Sequence, residues 1–394
     1  MKPKYVYHPS RYVPALTGIR ALAALLVLGL HTQQNLPSSL YSLLPFFGRG
    51  YLGVDFFFIL SGFIITHVYL AHLAYPNVRA LKIFLWHRFI RLYPVHITVL
   101  GGLLAIVCFA AVSGFTLNNP QEWQWNELLW QLTLLQGWGV TTSPGWNAPS
   151  WSISAEWFAY LLFPLLAPAL MCVRVRRIAF LIAVAALAAT ALIFAMAHWN
   201  LNTWVGAPAL TRVFGEFLCG AALCRAAALS HEAPLPNGDM LGAGAFAAFL
   251  IGASAGLGDF ALVGLLALTI FGAATSTGPL TRVLGSWPFV WLGEISYSVY
   301  MVHFPILIVI RRFWEGLGFD QWPAGAKLCA VVGTVALVIA VAAMLFYVVE
   351  RPARTRLRDP SCHRRQGTFV RRLDVQRTAV FVSGRHSCNR RRDI

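Results

Sequence analysis

The chain has 394 residues, of which 58% are hydrophobic and only 12% are charged. An average soluble domain carries about 25% charged residues, so this composition nearly excludes a soluble protein and favours one that lies within a lipid bilayer. The net charge of +16 is concentrated at one end, because residues 351–394 hold 13 Arg and three Asp. A basic tail without a folded reading surface does not indicate a nucleic-acid partner.

Apolar stretches recur along the chain, and each predicts a membrane-crossing helix, which needs about 20 mostly apolar residues. The ten stretches lie near residues 14–33, 51–74, 92–115, 151–172, 178–198, 209–229, 240–257, 259–277, 288–310 and 325–348. The first lacks a small-residue cleavage site, so we expect it to stay in the mature chain. The sequence therefore predicts an all-α integral membrane protein of about ten transmembrane helices.

Two regions of different character follow from the composition. Residues 1–350 are predicted to form one multi-pass membrane domain, and the Arg-rich residues 351–394 a disordered cytoplasmic tail. The seven Cys residues include no CxxC pair, so neither a zinc framework nor a disulfide scaffold is predicted. The sequence also contains neither an HExxH motif nor a P-loop, so we expect no metal site and no nucleotide-driven motor.

The basic residues between the spans predict the orientation, because Lys and Arg in short loops stay on the cytoplasmic side. With the N-terminus inside, most of them fall inside, whereas residues 116–150 contain no Lys or Arg. Arg311, Arg312 and Lys327 fall outside and argue the other way, but they are outnumbered. We therefore expect both termini to be cytoplasmic. The Trp-rich residues 116–150 then lie outside, and they are typical of a segment on or dipping into the outer leaflet.

Ionisable side chains within the predicted spans are candidates for function, because a charge in the hydrocarbon region costs about 2.5 to 3.5 kcal/mol on insertion scales. An alternative is that some of them pair merely to hold helices together, or snorkel from helix ends. They are Arg20, His31, Asp55, His67, Glu156, Arg212, Glu216, Glu294 and His303.

Arg20 and His31 lie on one face of the first span, since eleven residues advance a helix by ~16 Å and leave it ~20° from a whole number of turns. This arrangement suits an anionic cosubstrate that enters from the cytoplasm and presents its reactive end to an imidazole. Imidazole transfers protons well near neutral pH. The alternative for His31 is an interfacial histidine bonded to a neighbour.

Arg88 and Arg91 are one turn apart if their segment is helical, and two guanidinium groups at that spacing can clamp phosphates. The equally weighted alternative is that they only set the topology. Pro94 is then predicted to start the third span.

Two carboxylates and a polar stripe complete the candidate set. Asp55 needs a partner within its aromatic surroundings, for which Arg20 or a histidine is suitable. Glu156 begins the fourth span, where it can alternatively act as a helix-start carboxylate favoured by the macrodipole. A further stripe follows i, i+4, i+7 spacing and must face protein or a water-filled cavity. It consists of Ser296, Tyr300 and His303.

Five segments, taken in their order and spacing, together resemble the membrane-bound acyltransferase 3 family. They span residues 16–303, although Thr17 stands where that family often has an acidic residue and Val302 where Trp is common. The segments are Gly18-Ile19-Arg20 with His31, GVDFFFILSGF, Arg88-x-x-Arg91 with Pro94, WSISAEW and LGEISYSVYMVH.

The resemblance implies acyl transfer in a bacterial inner membrane, from acyl-CoA, usually acetyl-CoA, to a hydroxyl of a carbohydrate. Acyl-CoA is then a cosubstrate, and no permanently bound cofactor is expected. Under this hypothesis His31 is the general base, and Asp55 or Glu156 orients it as the carboxylate of a triad does. His303 assists catalysis, with Ser296 and Tyr300 near the acceptor. The groups that engage the phosphates are Arg20, Arg88 and Arg91.

Two other classes of protein are weighed against this hypothesis. A proton-coupled secondary transporter or glycan flippase also uses intramembrane acids and histidines, but the sequence lacks the internal symmetry that such transporters often show. A structural membrane subunit would leave the polar spacing unexplained.

Overall fold

The computed structural model describes residues 13–35, 44–75, 77–114, 123–143, 145–229 and 237–357. Within these ranges the regular elements are helices, and no strand occurs. The α-helices are α1 (Pro14–Asn35), α2 (Leu52–Leu73), α3 (Val78–Ser113), α4 (Leu128–Thr133), α5 (Trp151–Cys172), α6 (Arg176–Met196), α7 (Ala207–Ala228), α8 (Gly238–Ser254), α9 (Asp259–Thr275), α10 (Pro279–Leu284), α11 (Trp287–Gly316), α12 (Ala324–Leu345) and α13 (Arg351–Arg356).

A helix occupies each of the ten predicted spans. Eight are long and apolar enough to cross a membrane, and α8 and α9 are shorter apolar helices of 17 residues each. A helix of 17 residues is at the lower limit for spanning a bilayer. The prediction of an all-α, multi-pass membrane protein is confirmed.

The third span begins earlier than the sequence indicated. Helix α3 has 36 residues and contains Pro94 in its interior, so the prediction that Pro94 starts a helix is wrong. Membrane helices contain internal Pro residues more often than soluble helices do. Arg88 and Arg91 are consequently helical and lie one turn apart.

Glycines allow two helix pairs to pack closely. A Cβ atom at Gly62 would overlap the carbonyl of Phe217, and one at Gly220 would overlap the carbonyl of Ile59, so α2 and α7 meet backbone to backbone. A Cβ atom at Gly293 of α11 would likewise overlap a carbonyl of α1. Small residues permit this close approach in membrane helices, and the two pairs carry most of the predicted site residues.

The described part of the Trp-rich segment, residues 123–143 and 145–150, forms short turns and short helices that pack on the long helices. Helix α4 has six residues. Trp146 is only 2% exposed and packs against α3, and the Trp138 indole donates to the Ser154 carbonyl at 3.0 Å. Residues 115–122 and 144 lie outside the described residues.

The predicted tail starts with ordered structure. Residues Arg351–Arg356 form α13, and the Trp86 indole of α3 donates to the Leu357 carbonyl at 3.0 Å. The sequence predicted that the disordered tail begins at Arg351, whereas the chain is still helical from Arg351 to Arg356. Residues 358–394 lie outside the described residues.

Candidate active site

A cavity of about 110 Å³ lies between α1, α2, α3, α5 and α11. Its wall is largely apolar on α2 and polar on the other helices, so it combines a hydrophobic face with convergent charges. This is the usual composition of a small-molecule site. The polar and charged residues of the wall are Arg20, Ser61, Arg88, Arg91, Ser152, Glu156, Tyr160, Tyr297 and Tyr300.

Arg20 and Arg88 both line the cavity and have N–H groups that can still donate hydrogen bonds to a ligand. Arg20 makes no hydrogen bond or ion pair with any residue that the structure describes. Arg88 donates to the Tyr69 hydroxyl at 3.2 Å and lies over the rings of Tyr69 and Tyr160. The Nε atom of Arg88 is buried and has no acceptor among the described residues. A buried N–H without an acceptor is costly, so an anionic oxygen placed here would be stabilised.

Arg91 is held by a partner that the sequence analysis missed. It forms an ion pair with Glu350 and lies 5.2 Å from the centre of the Tyr297 ring. Glu350 is 1% exposed and also accepts a hydrogen bond from Ser298 at 2.9 Å. It lies at the end of the predicted membrane domain, two residues after the last predicted span, so it was not among the intramembrane charges.

Glu156 adds negative charge to the wall and is tightly bonded. It accepts hydrogen bonds from Ser61 at 2.6 Å and from Tyr160 at 2.5 Å. With the carboxylates of Glu156 and Glu350 set against three arginines, the ionised groups at the cavity leave an excess positive charge. Clustered guanidinium groups with low-dielectric walls favour an anionic ligand.

His31 and His303 form a pair beside this cavity. The Nδ1 atom of His31 lies 3.0 Å from the Val27 carbonyl oxygen and 3.3 Å from Nε2 of His303, and the two ring centres are 4.9 Å apart. The Tyr300 ring lines the cavity and lies 5.6 Å from the His303 ring. Tyr300 therefore connects the arginine-lined cavity with the histidine pair.

The sequence suggested Arg20 or a histidine as the partner of Asp55, but the structure pairs it with neither. Its carboxylate binds Arg212, with Nε of Arg212 donating to Oδ1 at 2.8 Å. Since Asp55 is bonded to Arg212 and Glu156 to hydroxyl groups, neither carboxylate supports the predicted role of orienting His31. Arg212 and its neighbour Glu216 were recognised in the sequence as intramembrane charges, but no spacing rule linked them to Asp55.

The polar stripe on α11 divides between two environments. The Ser296 hydroxyl donates to the Gly293 carbonyl of its own helix at 2.8 Å, and Ser296 is outside the cavity wall. The structure therefore does not bring it to the predicted substrate site. The Tyr300 hydroxyl accepts from Ser152 at 2.7 Å and donates to the Pro149 carbonyl at 2.9 Å. Tyr300 also lines the cavity.

Four polar wall residues were missed although the sequence held signals for them. Ser61 belongs to the GVDFFFILSGF run and Ser152 to the WSISAEW segment, Tyr160 follows Glu156 by one helical turn, and Tyr297 adjoins the polar stripe. Each contributes a hydroxyl in a span that otherwise reads as apolar. A hydroxyl carries no charge, so it does not stand out as an expensive intramembrane group does.

The helices and the cavity together define a multi-pass membrane protein with a cation-lined site next to a histidine pair. A family model described as "Acyltransferase domain" (Acyl_transf_3) matches residues 13–347, so the chain belongs to the acyltransferase 3 family. The prediction from the motifs is confirmed, and the chain is assigned to a family of membrane acyltransferases.

Several named proteins are similar to this chain in sequence. The chain is 29% identical to the acyltransferase MdmB of Streptomyces mycarofaciens, over 87% of this chain and 92% of that protein. It is 26% identical to the peptidoglycan O-acetyltransferase OatA of Listeria monocytogenes, over 88% of this chain and 56% of OatA. It is 24% identical to the putative peptidoglycan O-acetyltransferase YrhL of Bacillus subtilis, over 96% of this chain and 60% of YrhL. No solved structure matches the chain.

Proposed function

We propose that this protein transfers an acyl group, most simply acetyl, from acyl-CoA to a hydroxyl of a carbohydrate such as a cell-surface polysaccharide or glycolipid, in the inner membrane of a bacterium. One observation carries the proposal. Arg20, Arg88 and Arg91 converge on one cavity, and Tyr300 of that cavity contacts the pair formed by His31 and His303.

Acyl-CoA suits this cavity as the donor. Its phosphates are anionic, and the wall presents an excess positive charge with an unsatisfied Nε–H on Arg88. The predicted orientation places the arginine end of the site toward the cytoplasm, where acyl-CoA is made available. A volume of about 110 Å³ holds one end of the molecule rather than all of it. With the phosphates at the arginines, the pantetheine arm would extend past Tyr300 and bring the thioester to the histidine pair.

The proposed reaction needs one proton-accepting group. The His31 imidazole takes the proton of the acceptor hydroxyl while the hydroxyl oxygen attacks the thioester carbonyl carbon. The carbon–sulfur bond then breaks, and the thiolate of coenzyme A takes the proton from the imidazolium. General base catalysis of this kind contributes about 10²- to 10⁴-fold in rate. The products are an ester on the carbohydrate and free coenzyme A.

A carbohydrate acceptor is supported by the names of the relatives. OatA is named as a peptidoglycan O-acetyltransferase and YrhL as a putative one, and MdmB is named only as an acyltransferase. This chain spans little more than half of OatA and YrhL, so their acceptor is a starting point for the experiment.

The test follows radiolabel from acetyl-CoA into the polysaccharide fraction of membrane vesicles that contain the protein. We expect base-labile label with the wild type and none with His31→Ala at equal protein level. His72→Ala is the matched control, because His72 is an exposed histidine in the last turn of α2. Full transfer by His31→Ala would refute the role of His31. Proton-driven substrate movement without acyl-CoA consumption would favour the transporter alternative.

A further inference from the structure

We propose that His303 is a positioning residue that fixes the tautomer of His31, with the proton on Nδ1 and the proton-accepting lone pair on Nε2. The inference deepens the proposed function and rests on it for its catalytic consequence. It depends on which nitrogen of each imidazole donates a hydrogen bond and which accepts one. Its main observation is the 3.3 Å contact between His303 Nε2 and His31 Nδ1.

The first step concerns His303. Its Nδ1 atom lies 2.6 Å from the Tyr300 carbonyl oxygen. A carbonyl oxygen only accepts hydrogen bonds, so Nδ1 of His303 must carry the proton. A neutral imidazole has one N–H group, so Nε2 of His303 holds a lone pair and accepts.

The second step concerns His31. Nε2 of His303 accepts, so the nitrogen it contacts, Nδ1 of His31, must be the donor. The same Nδ1 atom lies 3.0 Å from the Val27 carbonyl oxygen, which also requires a donor. Both neighbours therefore place the proton of His31 on Nδ1, where it is shared between two acceptors. In neutral His31 the lone pair is then on Nε2.

The surrounding packing holds this arrangement. His303 is 1% exposed, and its Nδ1 partner is a backbone carbonyl of its own helix. Gly293 brings α11 against the Thr17 carbonyl of α1, so the two helices that carry the histidines are closely packed. When His31 accepts a proton on Nε2, its Nδ1–H continues to donate to His303. The pair therefore also stabilises the imidazolium, as a partner group does in catalytic triads.

The experiment compares His303→Leu with His303→Gln. Leucine fills similar space without an acceptor, whereas the Gln side-chain carbonyl can accept from His31 Nδ1 near the position of Nε2. We expect His303→Leu to lower kcat by at least about 10-fold, since loss of the partner that fixes the tautomer costs a catalytic triad about 10⁴-fold, with the KM for acetyl-CoA unchanged. We expect His303→Gln to recover most of kcat.

Other outcomes overturn the inference. If His303 contacts the reacting atoms itself, His303→Gln will be as inactive as His303→Leu. If His303 has a merely structural role, both variants will lose activity in proportion to their loss of folded protein, which is measured by thermal unfolding in detergent.

A second measurement does not depend on activity. Solid-state ¹⁵N spectra of histidine-labelled protein in lipid vesicles report which ring nitrogen carries the proton, and the signal of His31 is assigned by its loss in His31→Ala. We expect Nδ1–H in the wild type and a mixture of tautomers in His303→Leu. An Nε2–H tautomer of wild-type His31 would overturn the inference. If the wild type transfers no acyl group, the proposed function fails, and the spectrum alone decides the tautomer.

Discussion

Asp55 and Arg212 form a buried bidentate ion pair between α2 and α7. Nε of Arg212 donates to Oδ1 of Asp55 at 2.8 Å, and Nη2 contacts Oδ2. The guanidinium also donates to the Leu201 carbonyl at 2.6 Å and lies 5.4 Å from the centre of the Trp151 ring. One side chain therefore ties together two spans, the start of α5 and the segment that precedes α7.

We expect Arg212→Leu to lower the free energy of unfolding by about 3–5 kcal/mol, because it leaves a buried carboxylate without its counter-charge. Glu216 lies 3.8 Å from Nε of Arg212 and would lose the same partner. Thermal or denaturant unfolding of the purified protein in detergent measures the change.

The matched control is Arg311→Leu. Arg311 and Glu315 form the same i, i+4 type of pair as Arg212 and Glu216, but their side chains are 50% and 46% exposed. An exposed pair contributes no more than about 1 kcal/mol. Equal losses at the two sites would contradict the stabilising role of the buried pair.

The sequence predicted the spans because hydrophobicity is a local property. It misplaced the start of the third span at Pro94, because Pro is favoured in the first turn of a helix and no local pattern shows that this Pro lies in the interior of α3. The short turns of the Trp-rich segment were not predicted either, since burial of Trp146 depends on contacts with α3. Local patterns thus predict which residues form helices better than where irregular backbone packs.

The candidate site shows the same division. Arg20, Arg88 and Arg91 were predicted because an intramembrane or clustered cation is conspicuous in one sequence. The ion pairs were not predicted, neither that of Arg91 with Glu350, 259 residues away, nor that of Asp55 with Arg212, 157 residues away. No helical period relates residues at such separations. Pairing across the fold is therefore known only once the helices are packed.

The crossing of α2 and α7 gives a second prediction. We expect Gly220→Ala to lower the free energy of unfolding by about 1–3 kcal/mol, because the added Cβ would overlap the Ile59 carbonyl and force the helices apart. Gly264→Ala in α9 is the control, since a Cβ there meets no atom within 4 Å. Alanine in an open helical position is favoured over glycine by about 0.5–1 kcal/mol. A Gly220→Ala variant as stable as Gly264→Ala would refute close packing at this crossing.

Glu127, in a short turn of the Trp-rich segment, gives a prediction on pH. It is 8% exposed, and its Oε2 atom is buried without a donor among the described residues. Burial raises the pKa of Glu127, and the hydrogen bond from Ser143 opposes that rise. Because the pKa of Glu127 is higher in the folded than in the unfolded state, protonation of its carboxylate at low pH stabilises the folded protein. This stabilisation is lost as the pH rises through the folded-state pKa.

We therefore expect Glu127→Gln to increase stability at neutral pH by about 1–3 kcal/mol, the cost of a buried polar group without a partner. The difference from the wild type should shrink as the pH falls toward about 4, the usual range of a Glu side chain. Melting temperatures measured across this range test the sign. Glu315→Gln, at an exposed carboxylate, should leave the pH profile unchanged, and a Glu127→Gln variant that is less stable at neutral pH would contradict the assignment.

The arginines of the cavity give the last prediction, which concerns the donor. Arg88→Gln removes a charge that faces the cavity and an N–H group that has no acceptor among the described residues. A hydrogen bond to a charged group contributes about 1.5–3 kcal/mol, and about 1.4 kcal/mol corresponds to tenfold in affinity. We expect the KM for acetyl-CoA to rise by at least about 10-fold, with a smaller change in kcat because His31 is untouched.

Arg79→Gln is the control for this variant, since Arg79 lies on the same helix and is exposed. It removes the same charge from the same side of the membrane, so an equal effect would indicate general attraction rather than binding in the cavity. Arg20→Lys separates charge from geometry: it keeps the cation but loses the planar fork that engages two phosphate oxygens. If the fork binds phosphate, Arg20→Lys will raise the KM nearly as much as Arg20→Gln; a fully active Arg20→Lys would leave only the charge as the requirement.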